Sequence, residues 1–288
     1  MINFADFLLL LVAIFWGVTF KLVQNALADI PVFMFLFIRF FLSFLLMFII
    51  FYKKIAFNKK DIVAAFLLGF LNFMVFSFQT FGLVYSPSSV VAFITGLYVI
   101  LTPLVAFLIF KKKITIYSFA ATFIAFFGIY LLTGANISNF GKGEILTLIS
   151  AFFVAMHINY TDIFSKKYNL YTLVTFQFLA VSILSIIFTP FEKELITFNF
   201  NVILALIITV LFATVFAYFI QTYAQKFTTP TKTAIIFAME PVSAAVFAYF
   251  YGEHLNYIQI IGASLVIIGI ILSETGDKII LFIKKGKG

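Results

Sequence analysis

Apolar runs of about 20 residues recur along the whole chain, each long enough to cross the roughly 30 Å of hydrocarbon in a bilayer. They occupy residues 5–24, 31–52, 60–82, 88–110, 114–133, 143–164, 170–190, 200–223, 230–251 and 255–276, joined by connections of a few residues. Few folds are open to such a chain. With no water in the bilayer core, backbone groups must pair within a helix or around a closed barrel. The Phe- and Leu-rich runs lack the alternation of a barrel strand. The spacing therefore predicts ten transmembrane helices and an all-α integral membrane protein. A mean hydropathy of +1.17, with 64% hydrophobic and 10% charged residues, leaves no polar stretch long enough for a separate soluble domain.

The net charge of +8 does not read as a nucleic-acid surface, because the lysines cluster at the ends of apolar runs. Ten spans put both termini on one side. If that side is the cytoplasm, it carries Lys53, Lys54, Lys59, Lys60, Lys111, Lys112, Lys113, Lys166, Lys167, Lys226, Lys232, Lys278, Lys284, Lys285 and Lys287, against Lys142 and Lys193 outside. The positive-inside rule thus predicts cytoplasmic termini, in a bacterial cytoplasmic (inner) membrane. The first run follows a head, Met1 to Asp6, without a basic n-region or a following small-residue cleavage site, and is expected to be a retained helix. The chain has no cysteine, which excludes disulfides, thiolate chemistry and cysteine metal sites and leaves the redox compartment undetermined.

Sliding the second half over the first reveals weak but ordered matches. Gln79-Thr80 falls on Gln221-Thr222, Pro87 on Pro230, Ala92 on Ala234 and Gly128 on Gly269. Residues 1–137 and 138–288 read as two five-helix repeats. Five is odd, so the second enters the membrane inverted, and Lys111 to Lys113 then faces Gly252-Glu253-His254 as its counterpart. Thr102-Pro103 and Glu240-Pro241 look alike but fall out of this register.

These residues resemble the EamA-type permeases of the drug/metabolite transporter superfamily across nearly the whole chain. The resemblance is carried by Phe15-Trp16-Gly17, Phe20-Lys21, Arg39-Phe40, Gln79-Thr80, Ala92 to Tyr98 and Pro103 in the first half. In the second it is carried by Gln221-Thr222, Ala224-Gln225, Thr229-Pro230-Thr231, Ala234, Glu240-Pro241, Gly252-Glu253 and Gly262. The family implies a ten-helix carrier with alternating access and a central cavity lined mainly by helices 1, 3, 4, 6, 8 and 9. At Val154, where the family commonly has tryptophan, the chain departs from the pattern, which counts against a paired-tryptophan clamp.

Helical spacing gives its own reading of the cavity, since residues three, four and seven apart share a face. Thr214, Tyr218, Gln221 and Gln225 form one stripe; Thr95, Tyr98 and Thr102 form another. Thr147, Ser150, His157 and Thr161 form a third, and Asn72 and Gln79 share helix 3. Polar side chains stacked on one face of a membrane helix point at protein or water. The expected substrate-binding residues are Trp16, Gln79, Thr80, Thr95, Tyr98, His157, Tyr218, Gln221 and Gln225. Interhelical hydrogen bonding, at about 0.6 kcal/mol per contact, is the competing reading of each, as packing is for Trp16.

Glu240 is the one acid near the middle of a span. An ionised acid at that depth costs on the order of 2.5 to 3.5 kcal/mol on insertion scales, so it is neutral, paired with Lys21 or Arg39, or facing water. A transport role makes it the coupling residue; permanent pairing makes it a strut. The expected function is a secondary transporter of a small organic metabolite, an amino acid or related amphipathic solute, with proton coupling as one form of the cycle. A passive facilitator or channel and a membrane scaffold are the alternatives. The inventory has no HExxH, no paired intramembrane aspartates and no DDxxD, so no enzyme and no cofactor are expected. The expected partners are the solute and the lipid bilayer, not nucleic acid.

Overall fold

A computed structural model describes residues 4–133, 141–192, 196–250 and 256–285, and among these every regular element is helical. Seven stretches are long and apolar enough to cross a membrane: Phe4–Ala26, Val32–Lys54, Lys59–Tyr85, Val90–Leu108, Lys142–Ser165, Leu170–Phe191 and Phe200–Ala224. The remaining expected spans are present as helices with shorter apolar parts: Ile116–Leu131, Tyr257–Ser273, and a pair of helices between residues 230 and 250. The multi-pass membrane architecture stands, and the described residues meet the span criterion seven times where the sequence predicts ten. The segment Gly252–His254 lies outside the described residues.

Two runs that the sequence reads as single helices are broken. The first divides into α4 (Ser88–Gly96) and α5 (Tyr98–Leu108), with Leu97 between them. The second divides into α11 (Pro230–Phe237) and α12 (Met239–Phe250), with Ala238 between them. Pro241 cannot donate to the carbonyl of Phe237, the last residue of α11, so the ladder lacks a bond where the helix ends. A third run changes geometry without stopping: α9 (Phe200–Ile208) passes through a π-helical segment, Thr209–Phe216, into α10 (Ala217–Ala224). The other helices are continuous: α1 (Phe4–Ala26), α2 (Val32–Phe51), α3 (Lys59–Tyr85), α6 (Ile116–Thr133), α7 (Lys142–Ser165), α8 (Leu170–Phe188) and α13 (Tyr257–Lys285).

Lipid offers no hydrophobic drive for helices to associate, so close packing and interhelical hydrogen bonds must hold them. Gly17 of α1 lies so near α12 that a Cβ there would collide with Ser243 Oγ and the Glu240 carbonyl. Gly128 of α6 meets the Gly262 carbonyl and Val266 of α13 in the same way. The aliphatic and aromatic side chains that remain outside, among them Ile49, Phe107, Leu108 and Phe127, cover the surface that hydrocarbon would contact.

Candidate binding cavity

The breaks at Leu97 and Ala238 put Tyr98 at the start of α5 and Glu240 in the first turn of α12. Their side chains meet: the Tyr98 hydroxyl donates to Glu240 Oε2 at 3.1 Å. Both line a cavity of about 60 Å³ enclosed by α1, α2, α3, α4, α5, α7, α10, α11 and α12. Around it also lie Trp16, Arg39, Gln79, Thr80, Thr95, His157, Tyr218 and Gln221. The structure thus gathers every site residue expected from sequence except Gln225 and Lys21.

Those two are placed elsewhere. Gln225 is fully buried behind the wall, where its Nε2 donates to the Ile158 carbonyl at 2.9 Å and its Oε1 accepts from Gln221 Nε2 at 3.1 Å. The stripe through Thr214, Tyr218 and Gln221 turns away from the cavity before its last member. Lys21 is exposed and reaches Gln24 Oε1 at 3.4 Å. Its position at the end of α1 lets the ammonium leave the apolar zone. Among the described residues no ion pair joins Glu240 to either Lys21 or Arg39.

Arg39 is held by other means. Its Nε donates to Thr214 Oγ1 at 2.8 Å, its Nη2 approaches the Ala213 carbonyl at 3.4 Å, and its guanidinium lies 4.6 Å from the Phe76 ring centroid. The Ala213 carbonyl also accepts from Trp16 Nε1 at 2.9 Å. Ala213 and Thr214 belong to the π-helical segment, where the i→i+4 ladder is interrupted and carbonyls become open to side-chain donors. Trp16 and Arg39 are therefore both anchored to one local irregularity. The Trp16 ring packs on Phe237 at 4.8 Å and Tyr218 at 5.7 Å.

A hydrogen-bonded chain backs the opposite wall. Tyr218 donates to Asn72 Oδ1 at 3.2 Å, Asn72 Nδ2 donates to Gln177 Oε1 at 2.9 Å, and His157 Nε2 lies 3.3 Å from the same oxygen. Gln177 of α8 is fully buried and was not foreseen from sequence. An amide in the middle of an apolar run was its available signal. Phe76 and Phe237 also went unforeseen, since nothing in sequence marks two of 44 phenylalanines. Gln79 donates to Thr95 Oγ1 at 3.2 Å across α3 and α4. Gln221 Oε1, fully enclosed, has no hydrogen-bond partner among the described residues. Among the described residues no group of three or more His, Asp or Glu is placed to hold a metal ion.

The family model described as the EamA-like transporter family matches residues 3–134 and 141–275. The chain belongs to the EamA-like transporter family. An uncharacterized transporter of Archaeoglobus fulgidus is 35% identical to this EamA protein over 270 residues, covering 93% of this chain and 85% of the relative. The uncharacterized transporter YdfC of Bacillus subtilis is 24% identical over 74% of this chain and 71% of its own length. A crystal structure of a protein with 14% identity superposes on the EamA chain with a TM-score of 0.78, over 93% of this chain and 96% of that one; that likeness concerns the fold alone.

Proposed function

We propose that this EamA protein is a secondary transporter that carries a small zwitterionic solute, an amino acid or a close analogue, across the cytoplasmic membrane by alternating access. The observation that carries the reading is the pair Arg39 and Glu240. Both are buried, no ion pair joins them, and both line the same cavity. A buried charge without a counterion is costly. A solute bearing a carboxylate and an ammonium group answers both charges at once, and the rings of Trp16, Tyr218 and Phe237 suit an apolar side chain between them.

Two further features support the cycle. The paired breaks, one in each half of the chain, fit inverted repeats bounded near residues 137 and 138, with the discontinuous helices meeting at the site. Glu240 bonds a neutral hydroxyl, so it is free to exchange a proton or a substrate ammonium between access states. Both termini are assigned to the cytoplasm on the lysine distribution.

The test uses purified protein in liposomes. Thermal-shift screening of metabolite pools first selects a ligand, since binding to the native state raises apparent stability. Flux of that ligand should then saturate and accelerate when the same solute is loaded on the far side. Non-saturating flux without trans-stimulation means a channel. A preference for a matched amine or a matched carboxylate over the zwitterion overturns the substrate class.

A further inference from the structure

Asp6 is the third residue of α1 and Glu144 the third residue of α7, the first helix of each half. The two acids make corresponding contacts at opposite ends of the bundle. Asp6 Oδ2 receives Lys232 Nζ at 3.1 Å, from the first turn of α11. Glu144 Oε1 receives the Ser86 hydroxyl at 2.7 Å, just before α4. Lys232 belongs to α11, the leading piece of one broken run, and Ser86 is the C-cap of α3, at the turn that leads into α4, the leading piece of the other. Each contact therefore ties the first helix of one half to the entrance of the broken run in the other.

The two contacts differ in strength and setting. Asp6 and Lys232 form an ion pair whose side chains are 1% and 17% exposed. At the other end a neutral hydroxyl is the donor, supported by Lys142 Nζ, which donates to Tyr85 OH at 3.0 Å and lies 4.2 Å above its ring. Both bonds end on a carboxylate and are charge-assisted, but Asp6–Lys232 carries charge on both partners and its acid is more deeply buried than Glu144, where salt screens it less. The cavity's outlying residues lean the same way. Val23 and Leu83 line it, and both lie near the ends of their helices on the Ser86–Glu144 side.

We infer that Asp6–Lys232 and Glu144–Ser86 are opposing latches, each closing one mouth of the cavity, and that the unequal pair sets which side the resting carrier faces. This rests on the alternating-access reading. Release of one latch should favour the state closed by the other, because a two-state equilibrium responds to the difference between its ends. Lys232→Met should open the Asp6 end and Ser86→Ala the Glu144 end, with opposite effects on the population.

The natural chain has no cysteine, so single reporters can be placed without background. Thr233→Cys lies buried beside the first latch, and Thr147→Cys lies buried one turn below the second. Each is labelled with an impermeant maleimide applied to its own face of sealed vesicles. Lys232→Met is expected to raise the labelling rate at position 233 several-fold and to lower it at 147. Ser86→Ala is expected to do the reverse. The exchange Asp6→Lys with Lys232→Asp should return both rates toward the starting values and guards against a misfolded single variant. A rise at one end with no fall at the other is local fraying and overturns the inference, as do unchanged rates. Saturable flux with non-reciprocal labelling removes the latches and leaves transport standing, whereas reciprocal labelling without saturable flux removes transport instead.

Discussion

Among the described residues the Glu240 side chain bonds Tyr98 alone, and that bond defines what its replacement should do. Glu240→Gln preserves shape and can still accept from the hydroxyl, so the protein should fold with near-normal thermal stability. Uphill transport and its pH dependence should be lost while exchange of substrate across the membrane survives. Unchanged uphill flux would remove Glu240 from the cycle. Gln79→Leu and Gln221→Leu each delete a hydrogen-bonding amide from the cavity wall, a change worth about 1 to 3 kcal/mol, and should weaken substrate binding by roughly tenfold. Gln225→Leu should lower melting temperature more than affinity, because its amide holds the Ile158 carbonyl and not the cavity; calorimetry beside a binding titration separates the two. Most of the wall was legible because a polar side chain in an apolar run announces itself. Gln225 was misplaced because helical spacing gives the face of a helix and not the depth at which a neighbour covers it. Gln177 escaped because the positions three, four and seven residues away on α8, Leu170, Leu173, Val174, Ala180, Val181 and Leu184, are apolar and form no polar stripe, while its partners Asn72 and His157 come from two other helices.

Among the elements, the broken runs do what a continuous helix cannot. They bring a tyrosine at the start of one segment to a glutamate at the start of another. Each break has a local signal, Gly96 at the end of α4 and Pro241 withholding a donor from the Phe237 carbonyl at the end of α11. That the two breaks meet at one site was hidden. The π-helical segment was equally hidden, since its residues TVLFATVF are ordinary helix and strand formers and only the donors of Trp16 and Arg39 reward the freed carbonyl. The contact between α1 and α12 gives the element-scale test. Gly17→Ala would force the two backbones apart and should cost about 1 to 3 kcal/mol, the usual penalty of overpacking. Unaltered thermal stability would mean that the helices already have slack there. Because Gly17 touches the Glu240 carbonyl and Ser243, the same substitution should disturb substrate affinity, which a binding titration would show.

At the scale of the whole molecule, membrane insertion and helicity follow directly from apolar length. The number of spans does not, because one run is broken between residues 230 and 250 and the apolar parts of α6 and α13, Ile116–Leu131 and Tyr257–Ser273, are short although both helices carry exposed apolar side chains. The charge pattern makes a prediction that involves no side-chain geometry. A cysteine replacing exposed Phe198 should react with impermeant maleimide from outside intact cells, and one replacing exposed Phe57 should react only after permeabilisation. The opposite result reverses the orientation. The chain carries a single tryptophan, and it stands in the cavity wall with its nitrogen bonded to Ala213 and its ring against Tyr218 and Phe237. Indole emission from the unlabelled protein therefore arises from the cavity alone. Its colour and quenching give a spectroscopic record of solute arrival, in real time and in native lipid, free of any attached dye.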